Sequence, residues 1–330
     1  MTSIRQTAEK FNTPHFRGTV TRSENMAHRT TMRVGGAAPL FVEPHDEESL
    51  LYALTVFREC DAPYFVLGGG SNVIVSDSGF EGAVISTCKL NDVALESGTP
   101  DKSLSHDVPC SAESRPPAIV TCGAGAAVSA VVSFCTEHER AGLESFAGLP
   151  GTAGGALYMN ARCFDVSASD VLFSADYIDC QTLERATYAC DQADWAYKVS
   201  PFQKKHCIIT RARFKTRHIP GAQQAIAERC RRFARERSAK GHFKCPSAGS
   251  VFKNNRAFGK PSGKIIDECG LKGVQIGGAQ IAPWHGNFII NTGNATARDV
   301  QQLVEHAQDE VHKQTGFVLE PEIIFCGKFS

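Results

Sequence analysis

The sequence predicts an α+β protein built from two or three domains. The chain has 330 residues, more than the roughly 100–200 of one ordinary domain. Apolar residues recur at helical spacing in some segments and in short strand-like runs in others. Glycine-rich turns follow several of the strand-like runs. A composition of 42% hydrophobic and 21% charged residues is typical of a globular protein with a buried core.

The first part, roughly residues 30–90, is predicted as a small α/β lobe. Residues 1–30 are polar and are expected to form an irregular leading segment. A helix is predicted over Asp46–Cys60, where leucines recur on one face. Strands are predicted at Leu40–Glu43, Pro63–Leu67 and Val73–Val75.

The middle part begins with a polar stretch, Asn91–Arg115, which is rich in Ser, Asp, Gly and Pro and is predicted as a surface loop or insertion. A strand at Ala118–Cys122 and a helix at Ala126–His138 are predicted next. Further sheet is expected around Ala175–Ile178 and Cys207–Phe214.

The last part begins with a basic amphipathic helix over Pro220–Ser238. A loop is predicted at Ser247–Ser250. Thr296 and Asp299 form a capping-box pattern that starts a helix ending at Thr315. A strand over Val318–Phe325 is predicted to close the chain.

Charge and cysteine usage exclude several classes of protein. The 35 basic and 35 acidic residues balance, which gives no support for nucleic acid or an anionic membrane as the main partner. No apolar run reaches the roughly 18 residues of a membrane span. The 13 cysteines are odd in number and lack any C-x-x-C, and the start of the chain lacks an apolar leader. Free thiols in a reducing cytoplasm are expected, and no metal site is indicated by the histidine spacing.

Two glycine-rich segments are candidate ligand sites. The turn Gly68–Asn72 lies between two apolar strands and is either a cradle for a diphosphate or a plain tight turn. Gly148–Asn160 offers either a bare backbone surface for a flat ring or a connection between packed strands. Gly123–Gly125 lacks the third glycine of the dinucleotide fingerprint, because position 128 is Val, and is interpreted as a strand-to-helix turn.

Small residues surround Ser250 within Cys245–Asn254, so its hydroxyl is open to a ligand. A serine in such a loop is more often structural, and the segment is not a G-x-S-x-G elbow. Near the end of the chain, strand alternation would place Glu320 and Glu322 on the same face, so the pattern alone does not choose between them.

Thr31–Gly36, Gly68–Asn72 and Gly148–Asn160 together resemble the FAD-binding half of UDP-N-acetylenolpyruvoylglucosamine reductases, which have the vanillyl-alcohol-oxidase (PCMH) type of flavin domain. The resemblance runs from about residue 28 to 327, and residues 91–115 have no counterpart. It implies a two-lobed PCMH-type FAD-binding module and a smaller α+β substrate-binding domain. The implied divisions are 1–90 and 91–217 for the FAD lobes, 218–320 for the substrate domain, and 321–330 for a strand bearing the catalytic Glu.

The function implied by the resemblance is NADPH-dependent reduction of UDP-N-acetylglucosamine enolpyruvate to UDP-N-acetylmuramate through FAD, in peptidoglycan precursor synthesis. Ser250 is implied as the general acid and Glu322 as a group that stabilises or protonates the enolic intermediate. Lys198 stands where the family's Tyr-Arg-x-Ser motif has Arg, so the charge is kept but the bidentate fork is lost. Arg162 is a candidate to compensate for that loss.

The remaining implied residues bind the cofactor or the substrate. FAD would be bound by Arg33, Gly68, Gly69, Gly70, Ser71, Asn72, Gly148, Gly151, Gly154 and Gly155. The UDP-sugar would be bound by Tyr197, Arg235, Lys240, Lys253 and Asn254. Only 52 positions separate Lys198 from Ser250, which indicates the type of enzyme that lacks an extra tyrosine-bearing loop.

A cytoplasmic monomer without metal, nucleic-acid or membrane partners is expected. The alternative enzyme is an FAD-dependent sugar or alcohol oxidase of the same fold, with Cys163 as a candidate for covalent flavin attachment. A flavin- or nucleotide-binding protein without turnover would not need a proton donor such as Ser250. A NAD-dependent dehydrogenase fits less well, because the dinucleotide fingerprint is incomplete.

Overall fold

A computed structural model describes residues 4–96 and 118–329, which contain eight helices and eighteen strands. The helices are α1 (Ile4–Glu9), α2 (Glu47–Glu59), α3 (Val128–Glu137), α4 (Ala153–Tyr158), α5 (Ala168–Val171), α6 (Gln223–Ala239), α7 (Ser262–Glu268) and α8 (Ala297–Thr315). The first nine strands are β1 (Gly18–Asn25), β2 (Ala37–Pro44), β3 (Tyr64–Leu67), β4 (Val73–Val75), β5 (Ala83–Ser86), β6 (Val93–Leu95), β7 (Ala118–Gly123), β8 (Arg140–Ala141) and β9 (Arg162–Cys163). The others are β10 (Val166–Ser167), β11 (Leu172–Asp179), β12 (Arg185–Ala189), β13 (Cys207–His218), β14 (Ser247–Ser250), β15 (Gln275–Ile276), β16 (Ala279–Ile281), β17 (Phe288–Asn291) and β18 (Ile324–Cys326).

The chain folds into two compact units. The first comprises Met1–Glu43, Val56–Ser86 and Glu236–Ser330, and the second comprises Pro44–Thr55 and Thr87–Arg235. The ends of the chain thus belong to one unit, and the middle of the chain forms the other.

The first unit contains two four-stranded sheets. One has the order β1-β2-β5-β3, in which β2, β5 and β3 are parallel. The other has the order β14-β17-β16-β15 and is antiparallel. Helices α7 and α8 cover the second sheet, and Val300, Leu303 and Val304 of α8 are buried in its core. The short strand β18 pairs in parallel with β4.

The second unit is built on an antiparallel sheet of order β12-β11-β13-β7-β6, with β8 added beside β13. Helices α3, α4 and α5 pack on it. Their apolar residues, including Val131, Val132 and Leu157, form one core with Phe202 and Phe214.

The predicted α+β class is confirmed, and the helices that carried the clearest periodicity are present. Helix α8 begins as its capping pattern predicted: Thr296 Oγ1 accepts the Asp299 N–H at 3.0 Å, and the Asp299 carboxylate accepts the Thr296 N–H at 2.9 Å. The turn after β7 leads directly into α3, so the strand-to-helix interpretation of Gly123–Gly125 is also confirmed.

Three segments differ from prediction. The polar leading segment contains α1 and β1, so the expectation of irregular chain over residues 1–30 was wrong. Ser247–Ser250 is strand β14 and not a loop, because β17 supplies its partner from farther along the chain. The strand predicted over Val318–Phe325 is regular only from Ile324. Pro321, which lacks an N–H for a ladder, makes just an isolated bridge with Phe252.

The predicted loop over residues 91–115 falls mainly outside the described residues, and its described start contains β6. Among residues 4–96 and 118–329, no helix has the length and apolar character needed to cross a membrane. The same residues contain no cluster of three His, Cys, Asp or Glu side chains suited to a metal ion.

Candidate active site

The first glycine-rich turn follows β3, at the carboxyl end of the parallel strands, where ligands commonly bind in open α/β sheets. Gly70 has φ +62°, and its carbonyl accepts the Thr31 N–H at 3.0 Å. A Cβ at position 70 would lie 2.1 Å from the Arg29 carbonyl oxygen. Gly70 is therefore required by the protein's own backbone, while Gly68, Gly69 and Ser71 are partly exposed.

Arg33 is exposed and has φ +58°, a left-handed conformation uncommon for a residue with a side chain. Asn291 holds the turn before it, since its amide donates to the Met32 carbonyl at 3.1 Å. Asn291 is only 6% exposed, and sequence reasoning missed it. A polar residue ending the apolar run of β17 was the available signal.

Thr31 connects the glycine turn to the strand that carries Ser250. Its hydroxyl donates to the Ser247 carbonyl at 2.7 Å, and its backbone N–H binds Gly70. Two segments more than 200 residues apart in sequence are thereby joined in the first unit.

Ser250 lies at the end of β14, just after a β-bulge. Ser247 is opposite Ile290 and Ser250 is opposite Phe288, so β14 has one extra residue relative to β17. Gly249 accommodates it with φ +77°. Bulges redirect the following side chain. The Ser250 hydroxyl is half-buried and has no hydrogen-bond partner within the described part of the chain.

Glu322 is joined by its backbone to both the Ser250 strand and the first glycine turn. Its N–H donates to the carbonyl of Val251 at 2.7 Å, the residue after Ser250. Its own carbonyl accepts the Asn72 side-chain amide at 3.0 Å, and the Asn72 carbonyl accepts the Ile324 N–H at 2.9 Å. Three predicted site segments therefore meet through main-chain contacts.

The structure distinguishes Glu320 from Glu322, which the alternation of residues along a strand could not do. The chain is not a regular strand at Glu320 or Glu322, so the same-face argument does not apply. The Glu320 side chain is 69% exposed and forms an ion pair with Lys253 at 2.5 Å. Glu322 is half-buried. Asn254, predicted to bind substrate, accepts the Ser262 N–H at 2.9 Å at the start of α7.

Two histidine rings pack on Phe288, the residue opposite Ser250. The ring centroids of His242 and His285 lie 4.7 and 4.3 Å from that of Phe288. Burial, with Arg237, His285 and Lys240 nearby, lowers the pKa of His242 to about 4. Burial also lowers the pKa of His285. Both rings are therefore neutral at pH 7.

The predicted UDP cations Arg235 and Lys240 are both exposed. Arg235 lies on α6, in the second unit, and Lys240 follows the last residue of α6, in the first.

The second glycine-rich segment, in the second unit, combines structural and open glycines. Gly148 and Gly151 have φ of +78° and +99°. Gly154 is buried, and a Cβ there would lie 2.8 Å from the Ala124 Cβ. Gly155 is exposed on α4, and a Cβ would meet only the Thr152 hydroxyl, at 3.3 Å. Gly154 therefore serves packing, whereas the fold does not require a glycine at 155.

Lys198 lies in a tight turn. The Val199 N–H donates to the Ala196 carbonyl at 3.0 Å, which leaves Tyr197 and Lys198 at the two central positions. Lys198 has φ +60°, a conformation that turns usually assign to Gly or Asn. Its ammonium lies 5.9 Å from the centre of the Tyr197 ring, and Tyr197 is 44% exposed.

This turn is fastened to the end of the second glycine-rich segment. The Asn160 amide donates to the Ala196 carbonyl at 2.8 Å, and the Ser200 hydroxyl donates to the Tyr158 carbonyl at 2.7 Å. Gln203 donates to the carbonyls of Tyr158 and Lys198, at 2.8 and 3.1 Å. Sequence reasoning missed these anchors, although Ser200 belongs to the motif that contains Lys198.

Arg162 and Cys163 form β9. The Arg162 side chain is exposed and lies 3.5 Å from the Asp165 carboxylate. Cys163 is 1% exposed, so its thiol is not presented for covalent flavin attachment.

Comparisons with known proteins agree with these features. Residues 38–182 match an FAD binding domain family, and residues 241–326 match the C-terminal domain of UDP-N-acetylenolpyruvoylglucosamine reductase. Curated proteins named UDP-N-acetylenolpyruvoylglucosamine reductase are 43% identical in Treponema denticola, covering 96% of both chains, and 36% identical in Treponema pallidum, covering 93% of both. The crystal structure of UDP-N-acetylenolpyruvylglucosamine reductase (MurB) from Thermus caldophilus is 30% identical, with a TM-score of 0.69, over 94% of this chain and 99% of that one. The resemblance predicted from the motifs is confirmed.

Proposed function

Because the chain belongs to the family of UDP-N-acetylenolpyruvoylglucosamine reductases, we propose how its own residues share the family's chemistry. The protein is an FAD- and NADPH-dependent oxidoreductase that reduces UDP-N-acetylglucosamine enolpyruvate to UDP-N-acetylmuramate in peptidoglycan precursor synthesis. The roles of individual residues are our proposal.

FAD is held by Arg33, the turn Gly68–Asn72 and the second glycine-rich segment. The turn fits a diphosphate because the tight conformation at Gly70 leaves the backbone of Gly68, Gly69 and Ser71 partly exposed. The exposed backbone at Gly155 fits a flat ring, since no side chain at that position would stand between the ring and the helix. Bound FAD supplies the hydride that reduces the vinyl group of the substrate.

Ser250 donates the proton that completes the reduction. The observation that carries this assignment is the main-chain pairing of Glu322 with Val251, which brings the segment of Glu322 beside the strand that ends in Ser250. A hydroxyl is a weak acid in water, so it serves only where the developing enolate charge is stabilised and the hydroxyl is oriented. The bulge at Gly249 redirects the Ser250 side chain, and no group among residues 4–96 and 118–329 forms a hydrogen bond with its hydroxyl, so its proton is available.

Lys198 and Glu322 act on the same charge. The ammonium of Lys198 stabilises the substrate carboxylate as a point charge, because Lys lacks the fork of Arg. Glu322 helps to stabilise or protonate the enolic intermediate. Arg162 is proposed to supply the additional cationic contact that Lys198 cannot make.

The UDP moiety is bound by Tyr197, Arg235, Lys240, Lys253 and Asn254. Lys253 and Asn254 also have partners within the protein: Lys253 pairs with Glu320 and Asn254 with Ser262. An ammonium has three donors, so Lys253 can keep Glu320 and still contact a phosphate.

We also propose that the enzyme acts as a cytoplasmic monomer, without nucleic-acid or membrane partners. The balance of 35 basic and 35 acidic residues and twelve free cysteines in the described residues support this proposal. The proposed functional division is FAD binding by 1–90 and 91–217, substrate binding by 218–320, and Glu322 supplied by 321–330.

The test is anaerobic stopped-flow absorbance on the flavoprotein. NADPH should reduce the flavin, and UDP-N-acetylglucosamine enolpyruvate should then reoxidise it rapidly. Ser250→Ala should slow reoxidation by about 10²–10⁴-fold while leaving reduction by NADPH unchanged, because the proton is needed only in the second step. Reduction without reoxidation in the unmodified enzyme, or full activity in Ser250→Ala, would contradict the assignment.

A further inference from the structure

We infer that Asn287 is a positioning residue for the proton donor: its side chain holds the backbone that follows Ser250 in place. The inference rests on the proposed function of Ser250 and adds a residue to which that function assigned no role. Asn287 precedes β17 and is 4% exposed.

The Asn287 side chain forms hydrogen bonds with both backbone groups of Phe252. Its Oδ1 accepts the Phe252 N–H at 2.8 Å, and its Nδ2 donates to the Phe252 carbonyl at 2.8 Å. Its backbone carbonyl accepts the Val251 N–H at 2.9 Å. Three hydrogen bonds therefore fix the two residues that follow Ser250.

These contacts take the place of main-chain hydrogen bonds beyond the last regular pair of β14 and β17. The last regular pair between β14 and β17 is Ser250 with Phe288. The pairing stops there because the chain forms a turn at His285–Asn287, immediately before β17. A carboxamide offers the same donor and acceptor as a peptide group. Asn287 thus adds one more rung beyond the end of β17. The His285 ring nitrogen Nδ1 accepts the Asn287 N–H at 3.2 Å and fixes the turn behind it.

The added rung also fixes the segment of Glu322 relative to Ser250. On its other side, the Val251–Lys253 segment pairs with the C-terminal chain: Val251 accepts the Glu322 N–H at 2.7 Å, and the Lys253 N–H donates to Glu320 at 2.9 Å. The peptide at Phe252 is central to this arrangement. If Phe252 shifted, both Ser250 and Glu322 would move with it.

The two half-reactions distinguish positioning of Ser250 from general stability. Reduction of the flavin by NADPH requires no proton from Ser250, whereas reduction of the substrate does. Losing Asn287 should therefore slow substrate-dependent reoxidation by about 10- to 100-fold, as expected for a misplaced catalytic group. Reduction by NADPH should change by less than about threefold.

The experiment compares Asn287→Ala with Ser250→Ala, the double variant and Val311→Ala, each as the FAD-loaded full chain. Val311 is a fully buried residue of α8 in the same core, and its truncation controls for lost stability. It should leave both half-reactions unchanged. Adding Asn287→Ala to Ser250→Ala should slow reoxidation no further, because a positioning residue acts only through the group it positions.

Equal slowing of both half-reactions, or effects of Asn287→Ala and Ser250→Ala that multiply in the double variant, would overturn the inference. If Asn287→Ala does not yield folded protein, Asn287→Ser keeps a polar side chain at the site, although its shorter side chain does not reproduce the two bonds, and should show a loss confined to reoxidation. Loss of bound flavin in Asn287→Ser would also count against the inference. Failure of the proposed function itself would look different, since the unmodified enzyme would then not be reoxidised by the substrate.

Discussion

The Ser250 strand and the Lys198 turn carry different parts of the proposed chemistry, and the protein holds them in different ways. Ser250 is placed by main-chain pairing with β17 and with the segment of Glu322. Lys198 is placed by a two-residue turn, which side-chain amides and a hydroxyl fasten to the second glycine-rich segment.

This difference determines how freely a side chain can be exchanged at each place. A side chain at the tip of a turn can change while the turn keeps its backbone anchors, so the fold accepts either Lys or Arg at position 198. Around Ser250 the same freedom is absent, because several segments share its hydrogen bonds.

We expect the largest effect from substituting Gly70, in the unit that contains the Ser250 strand. Gly155, in the unit that contains the Lys198 turn, provides the comparison. Gly70→Ala would place a Cβ 2.1 Å from the Arg29 carbonyl oxygen. It would also hold Ala at φ +62°. The conformational strain costs about 1–2 kcal/mol and the overlap about 1–3 kcal/mol. We expect a lower melting temperature and loss of bound flavin, measured by thermal unfolding and by the ratio of flavin to protein absorbance.

Gly155→Ala is the matched variant in the second region. Alanine is the better helix former, but its Cβ would lie 3.3 Å from the Thr152 hydroxyl that caps α4, so we expect the stability of the flavin-free protein to change by less than about 1 kcal/mol. Flavin affinity should nevertheless fall if the ring lies against this backbone. If Gly155→Ala binds FAD with unchanged affinity, the flavin ring does not contact the backbone at residue 155.

The glycines also show how far sequence reasoning reaches. The motif predicted the turn at Gly70 and the segment at Gly155. Only the folded structure shows that a Cβ at Gly70 or Gly154 would meet other backbone or Cβ atoms, whereas one at Gly155 would meet only a side-chain hydroxyl. Helix α8 was predicted because its signals are local: a capping box and a repeating apolar face.

Long-range partners explain the segments that sequence reasoning missed. The small residues of β14 form a strand because β17 pairs with them, and a single-sequence pattern does not contain that partner. The chain before Ile324 is not a regular strand because of Pro321. This proline was a local signal, but the apolar residues around it favoured the prediction of a strand. Asn160, Asn287 and Asn291 were missed for the same reason as β14, since their amides bind backbone groups distant in sequence.

The next effect tests the turn region through three substitutions at position 198. Lys198→Ala should slow reoxidation by the substrate about 100-fold, the loss typical of removing one group that stabilises a developing negative charge. Lys198→Arg should stay within a few-fold of the unmodified enzyme. Lys198→Gly should lose activity as Ala does, but should be about 1 kcal/mol more stable than Ala because glycine adopts φ +60° without strain.

Lys204→Ala, at an exposed lysine of the same unit, is the control and should change neither rate nor stability. Arg162→Ala tests compensation. If Lys198→Ala and Arg162→Ala each leave substrate affinity and turnover intact, neither cation acts on the substrate carboxylate. The turn would then be a structural feature only.

The smallest effect concerns pH and should involve the Ser250 region. His242 packs on Phe288, and burial lowers its pKa to about 4 in the folded protein. The unfolded chain takes up this proton near pH 6.5, the usual pKa of histidine. Between these values the unfolded state binds more protons, so stability falls as the pH falls from about 6.5 towards 4. The melting temperature should drop by a few degrees between pH 7.5 and 5, and His242→Leu should reduce that drop.

His15→Gln, at an exposed histidine in the same unit, should leave the drop unchanged. An equal acid-induced drop in His242→Leu would show that the His242 ring does not link the Ser250 region to pH.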